Sequence, residues 1–108
     1  MLTARLTASY TPVVGNVDWS HRTEYMQQRH GTTVEQANEA LADPDAEVFD
    51  PDYASKSGRS VRTIGWSATA SRLLVVITIA EDGVIYGLNG WPANDVDTRH
   101  YEGGDSDE

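Results

Sequence analysis

The chain has 108 residues, no cysteine, and eight Lys/Arg against seventeen Asp/Glu for a formal net charge of −9. That length suits one domain with a single modest core, and the lack of cysteine excludes disulfides, thiolate metal sites and cysteine nucleophiles. So acidic a chain is a poor general match for a polyanion, whose affinity rests on Lys/Arg neutralising phosphates.

The charge is uneven along the chain. Residues 1–18 sum to zero and residues 103–108 to −3, which leaves −6 for residues 19–102. The longest apolar run, Leu73-Leu74-Val75-Val76-Ile77, is too short to span a bilayer. No cationic stretch followed by an apolar block opens the chain, so no secretory signal is read. A cytoplasmic protein with no membrane partner is expected.

Residues 1–18 are rich in Thr and Ser, with Pro12 and Gly15, and read as a loose arm with a short strand near residues 10–14. Ser20 is a suitable N-cap, and residues 20–30 read as a helix stopped by Gly31 in the C′ position. Thr33 opens a second helix, where Gln36 completes a Thr-x-x-Gln capping box. Val34, Ala37, Ala40 and Leu41 fall at helical spacing and form its buried stripe. Asp43-Pro44 ends it, because a residue before proline disfavours the helical region.

A brief strand at 46–49 leads into the polar loop 50–58, whose composition predicts a mobile hairpin connection. Residues 60–67 alternate as a strand with Arg62, Ile64 and Trp66 on one face. Residues 73–80 are β-branched and continuously apolar, as in a central strand covered on both sides. Glu81-Asp82-Gly83 is a hairpin turn, after which residues 84–89 return antiparallel. The chain should break at Trp91-Pro92, since proline restricts both residues. Asn94 then caps a last helix, 94–102, with Asp97 three positions on as its capping partner. The expected organisation is an arm (1–18), one α+β domain (19–102) and a disordered acidic tail (103–108). The domain is expected to hold a small antiparallel sheet of about four strands, with two N-terminal helices and one C-terminal helix.

Few residues are equipped for chemistry. His21, His30 and His100 lack metal-ligand spacing, and the paired aspartates Asp43/Asp45 and Asp50/Asp52 flank prolines in turns, where Asp bonds the local backbone. No phosphate loop, nucleophile elbow or cofactor motif is present, so no metal and no cofactor is expected. What remains is Arg62 on one strand, Arg72 opening the next, Arg29-His30 closing the first helix and Arg99-His100-Tyr101 closing the last. Cations at helix C-termini also complement the macrodipole.

Trp19, Arg29-His30-Gly31, Val34-Glu35-Gln36-Ala37, Asp43-Pro44 and Asp50-Pro51 follow one another in order. Then come Gly58, Arg62-x-Ile64-Gly65-x-Ser67, Arg72-Leu73-Leu74-Val75-Val76 and Arg99-x-Tyr101-Glu102. Together, from Trp19 to Glu102, this ordered set resembles the BrnT family, the ribonuclease toxins of type II toxin–antitoxin modules. The resemblance implies a RelE-like fold and metal-free RNA cleavage, in which the ribose 2′-OH attacks the adjacent phosphate. It implies an RNA substrate and a cognate antitoxin, itself a small DNA-binding protein, with no direct DNA binding by this chain.

Carried over position by position, it implies His30, Arg62, Arg99 and Tyr101 as catalytic residues. Arg29, Arg72, Asn89 and Trp91 are then candidates for RNA or partner binding. The departure lies at Asn89-Gly90-Trp91, where family members carry a Ser-Ala-Arg-like sequence before a basic final helix. Trp91 stands where that arginine would be, and the helix after it begins with Asn94-Asp95-Val96-Asp97. An indole there can stack a base, anchor a protein or cap the core. A catalytically degenerate, protein-binding relative is therefore the second reading.

Overall fold

The computed structural model describes residues 17–103. In chain order the elements are β1 (Val17–Asp18), α1 (Thr23–His30), α2 (Val34–Ala42), β2 (Glu47–Phe49), β3 (Ser60–Ser67), β4 (Arg72–Glu81), β5 (Val84–Pro92) and α3 (Asp95–Gly103). The α+β class stands, with two helices before the main strands and one after them. The sheet differs from expectation, because among the described residues it has five strands in the order β1-β5-β4-β3-β2. β2 to β5 pair antiparallel in succession, whereas β1 lies parallel to β5 through Val17↔Ile85 and Asp18↔Tyr86. Two residues are too few to show an alternation. The open edge of β5 decides that they form a strand, which draws residues 17 and 18 into the domain. The strand expected at 10–14 and the tail beyond Gly103 lie outside the described residues.

Local signals place the helices well. The Gly31 amide donates to the Gln27 carbonyl at 2.9 Å with φ 72°, the left-handed stop that glycine adopts without steric cost. α1 starts three residues later than Ser20 implied. Asp18 Oδ1 accepts from both the amide and the hydroxyl of Ser20, so that side chain is taken up before the helix begins. In α2 both halves of the capping box form, Gln36 N to Thr33 Oγ1 and Thr33 N to Gln36 Oε1, each 3.1 Å. In α3 the pair recurs, with Asp97 N donating to Asn94 Oδ1 at 2.9 Å and Asn94 N to Asp97 Oδ2 at 3.0 Å.

β4 is covered on both faces, as its unbroken apolar run predicts. Leu74 and Val76 pack with Trp19, Met26, Ala37 and Ala40 beneath α1 and α2. Val75 and Ile77 pack with Ile64 and the partly buried Phe49, Leu88, Trp91, Ala93 and Tyr101 beneath α3. Gly65 permits the close seating of α2, since a Cβ there would lie 2.0 Å from the Ala40 carbonyl oxygen.

The β4–β5 turn has positive φ at Asp82 (52°) and Gly83 (82°), the combination of a type I′ hairpin. β5 does not break at Trp91 but runs on to Pro92, pairing Trp91 with Val75 and Pro92 with Leu74. Beyond Tyr86 β5 has no second strand partner among the described residues, so the missing proline donor falls at an edge where it is tolerated. The irregularity comes earlier. Thr78 pairs with Gly87 and Ile77 with Asn89, leaving Leu88 as a bulge. Directly paired residues share a face of the sheet, so the bulge brings Asn89 and Trp91 into line with Ile77 and Val75, on the α3 side.

Candidate functional site

α1 packs against β5, and the guanidinium of Arg22 fixes the contact by donating from Nε to the carbonyl of the bulge residue Leu88 at 2.9 Å. Arg22 also lies over the Tyr25 ring, 4.2 Å from its centroid. Where the last turn of α1 meets the last residues of β5 an open cleft of about 620 Å³ forms, lined by Tyr25, Arg29, His30, Asn89, Trp91 and Pro92. The His30 imidazole stands 5.7 Å from the Trp91 indole at 47°. Helix termination positions it, because Gly31 turns the chain away immediately after this residue. Arg29 is exposed and forms no ion pair among the described residues. Among the described residues no carboxylate lines the cleft, although the chain carries nine more acids than bases.

Asn89 has a defined orientation. Its Oδ1 accepts from the Gly90 amide at 2.9 Å, which leaves the amide nitrogen as the free end, a pair of donors with no protein acceptor among the described residues.

Behind Trp91 lies Arg62, its guanidinium carbon 5.7 Å from the indole and 4.6 Å from the Tyr53 ring. Arg62 Nε donates to Asp52 Oδ1 at 2.8 Å, and the guanidinium approaches Asp97 Oδ1 at 3.6 Å with its side chain only 11% exposed. Asp52 and Asp97 are themselves buried. Two carboxylates face one cation, so the cluster carries a net negative charge. The loop 50–58, expected to be mobile, is held at its base through this aspartate. Asp52 donates its amide to the Ser60 carbonyl at 2.7 Å and accepts from the Ala54 amide at 3.1 Å.

The other candidates lie apart from the cleft. Tyr101 donates its hydroxyl to Asp43 Oδ2 at 2.7 Å. Burial, that hydrogen bond and the charges of Asp43 and Asp45 push its pKa up to about 12, which makes it a poor proton donor near neutrality. Arg99 is exposed on α3. Arg72 borders a second, smaller groove of about 470 Å³ with Trp66, Leu73, Pro92, Ala93, Thr98 and Glu102. Of the eight residues singled out from sequence, four line one cleft (Arg29, His30, Asn89 and Trp91). Arg62 backs it, and Arg72, Arg99 and Tyr101 do not reach it.

No protein-family model matches the chain, and no curated protein does. The chemistry of the cleft follows from its lining. Tyr25, His30 and Trp91 supply aromatic surface for a planar group, Arg29 supplies positive charge, Asn89 supplies two donors and His30 an imidazole able to move a proton. Helical spacing by itself sets Tyr25 with Gln28 on one face of α1 and Arg29 with Met26 on another, whereas Tyr25 and Arg29, four residues apart, line the same cleft. The partners of Arg62 left no comparable trace, being 10 and 35 positions away. Among the described residues no helix is long and apolar enough to cross a membrane.

Proposed function

We propose that this chain is a BrnT-like toxin of RelE-like fold, a metal-independent endoribonuclease whose site is the cleft between α1 and β5 and whose activity is held in check by a cognate antitoxin. One observation carries the proposal: the pairs Arg29-His30 and Asn89/Trp91, distant in sequence, line one cleft to which the described residues bring no carboxylate, in a strongly acidic chain. An anionic, ring-bearing substrate fits that chemistry better than a basic protein does. In the reaction His30 takes the proton of a ribose 2′-OH as its oxygen bonds to the adjacent phosphorus. The bond from phosphorus to the 5′-oxygen breaks, and that oxygen takes a proton from water. Arg29 stabilises the charge that develops on the phosphate. Arg62 is assigned a positioning role behind Trp91, because its guanidinium is already engaged by Asp52 and Asp97. With one imidazole and one available guanidinium, slow turnover is expected.

The test is incubation of the purified protein with single-stranded RNA beside His30→Ala and Arg29→Gln, together with growth on expression. Loss of the imidazole should lower the cleavage rate by about 10²-fold or more. Unchanged cleavage in both variants would refute the assignment of the site. The engagement of Arg62 and Tyr101 by carboxylates favours a second reading, a non-catalytic module that binds a small basic protein. Harmless expression, no cleavage and stable recovery of such a partner would establish that reading over the first.

A further inference from the structure

We infer that the cleft between α1 and β5 is a subsite for one nucleotide of single-stranded RNA, its base stacked on the aromatic lining headed by Trp91 and its phosphate held by Arg29. This deepens the ribonuclease reading and rests on its assignment of RNA to the cleft, but it concerns binding and requires no cleavage. Four features converge on it.

The cleft, of about 620 Å³, is wide open to solvent, as suits one nucleotide of a strand that continues past it on both sides. Three of the six lining residues, Tyr25, His30 and Trp91, carry aromatic rings, and base stacking on such platforms needs no particular sequence. Arg29 is exposed and, like Arg72 and Arg99, has no ion pair among the described residues, and of these three it alone lines the cleft. The Gly90 amide occupies Asn89 Oδ1, so the amide nitrogen of this lining residue keeps its donors for an acceptor such as a base carbonyl.

Trp91 is also held in place for this role. Arg62 stands on one side of the indole and His30 on another, and the ring packs against Ile64, Val75 and Ile77. An indole fixed in advance loses little conformational freedom when a base stacks on it. A basic protein would meet Arg29 here instead of the acidic surface elsewhere on the chain, so the same charge that attracts a phosphate turns such a partner away.

The experiment uses a short, labelled single-stranded RNA in which every ribose is 2′-O-methylated, so that the 2′-oxygen cannot attack. Binding to the full chain is followed by fluorescence anisotropy over a range of salt. Trp91→Leu should weaken binding by about tenfold or more through the loss of one stack. Arg29→Gln, an exposed change that leaves the core untouched, should weaken it by about tenfold at low salt. It should also reduce the slope of log affinity against log salt by about one. Asn89→Asp keeps the acceptor for Gly90 but replaces the outward donor with a charge that repels phosphate, and should weaken binding by about tenfold or more. Uridine monophosphate at millimolar concentration should displace the RNA.

Equal binding by wild type, Arg29→Gln and Asn89→Asp would overturn the proposal, as would a failure of the mononucleotide to compete or capture of a basic protein at the cleft in place of RNA. The two proposals separate cleanly. Binding of the methylated strand without cleavage of unmodified RNA removes the ribonuclease and leaves the subsite. Cleavage of unmodified RNA without binding of the methylated strand at this cleft removes the subsite and leaves a ribonuclease whose site lies elsewhere on the chain.

Discussion

Arg62 shows how far a side chain's surroundings can differ from its sequence neighbourhood. Alternation along 60–67 places it beside Ile64, and the structure agrees that the two share a face. Only the tertiary fold adds Asp52 from the β2–β3 connection and Asp97 from the first turn of α3. Removing the guanidinium would leave two buried carboxylates facing each other without a counter-charge. Arg62→Gln is therefore expected to cost about 3 kcal/mol or more, read as a lowered urea midpoint. Arg59 pairs with Glu81 at 2.9 Å, but both side chains are about half exposed. Water and salt screen that pair, so Arg59→Gln should change stability by less than about 1 kcal/mol. If the two substitutions proved equally mild, the buried cluster would not hold the loop and α3 together. The contrast turns on burial and charge balance, since both pairs have similar nearest distances.

At the scale of elements, strong local signals were readable and close approaches were not. The Thr33–Gln36 box, the Gly31 stop, the Asp82-Gly83 turn and the Asn94–Asp97 cap each depend on atoms within a few residues, and each forms. Gly65 had meaning in the sequence only as part of a pattern, and its physical role appears once α2 is seated. A methyl group placed there would strike the backbone of Ala40, which has no rotamer with which to yield. Gly65→Ala is expected to destabilise the protein by about 3 kcal/mol, measured by thermal or urea unfolding. A neutral effect would mean that α2 can ride away from β3. Gly87 is crowded by the ring of Trp19, where a side chain rather than a backbone would have to move. The late start of α1 has a similar origin, because Asp18 competes successfully for Ser20 and the helix begins only after that local turn.

Across the whole molecule, Asp43 is the point where three elements meet. It follows α2, and its Oδ2 accepts from the Trp66 amide at the end of β3 at 2.8 Å and from the Tyr101 hydroxyl on α3 at 2.7 Å. Partial burial works against its charge, but the hydrogen bonds from Tyr101, Asp45 and Trp66 outweigh that penalty and hold its pKa below the ordinary 3.8. A depressed carboxylate stabilises the fold above its unfolded pKa and loses that contribution as pH falls below about 3.8. Tyr101 works in the opposite sense. Its pKa is raised from 10.0 to about 12, so its contribution is complete below pH 10.0 and is lost as pH climbs towards 12. Tyr101→Phe should lower stability near neutral pH by roughly 1–2 kcal/mol, as expected for a hydrogen bond to a charged acceptor. It should also flatten the alkaline limb of a plot of melting temperature against pH and weaken the acid one. Superimposable profiles for the two proteins would show that the contact does not join α3 to the rest of the domain.

The sequence by itself determined the α+β class, the three helices of the described residues, the antiparallel succession from β2 to β5, and a chain too acidic to attract polyanions over its general surface. These are decided by composition or by neighbours a few positions apart, and such interactions survive whatever the rest of the chain does. Tertiary structure decided which residues meet. The parallel strand β1 exists because the edge of β5 was open. The bulge at Leu88 put Asn89 and Trp91 on the α3 face, since a shift of one residue in a strand exchanges its two faces. The end of α1 then brought Arg29 and His30 against them, while two distant aspartates took Arg62 away from the surface. The sequence supplied the candidate residues, but register and packing separated the four that share a cleft from the four that do not.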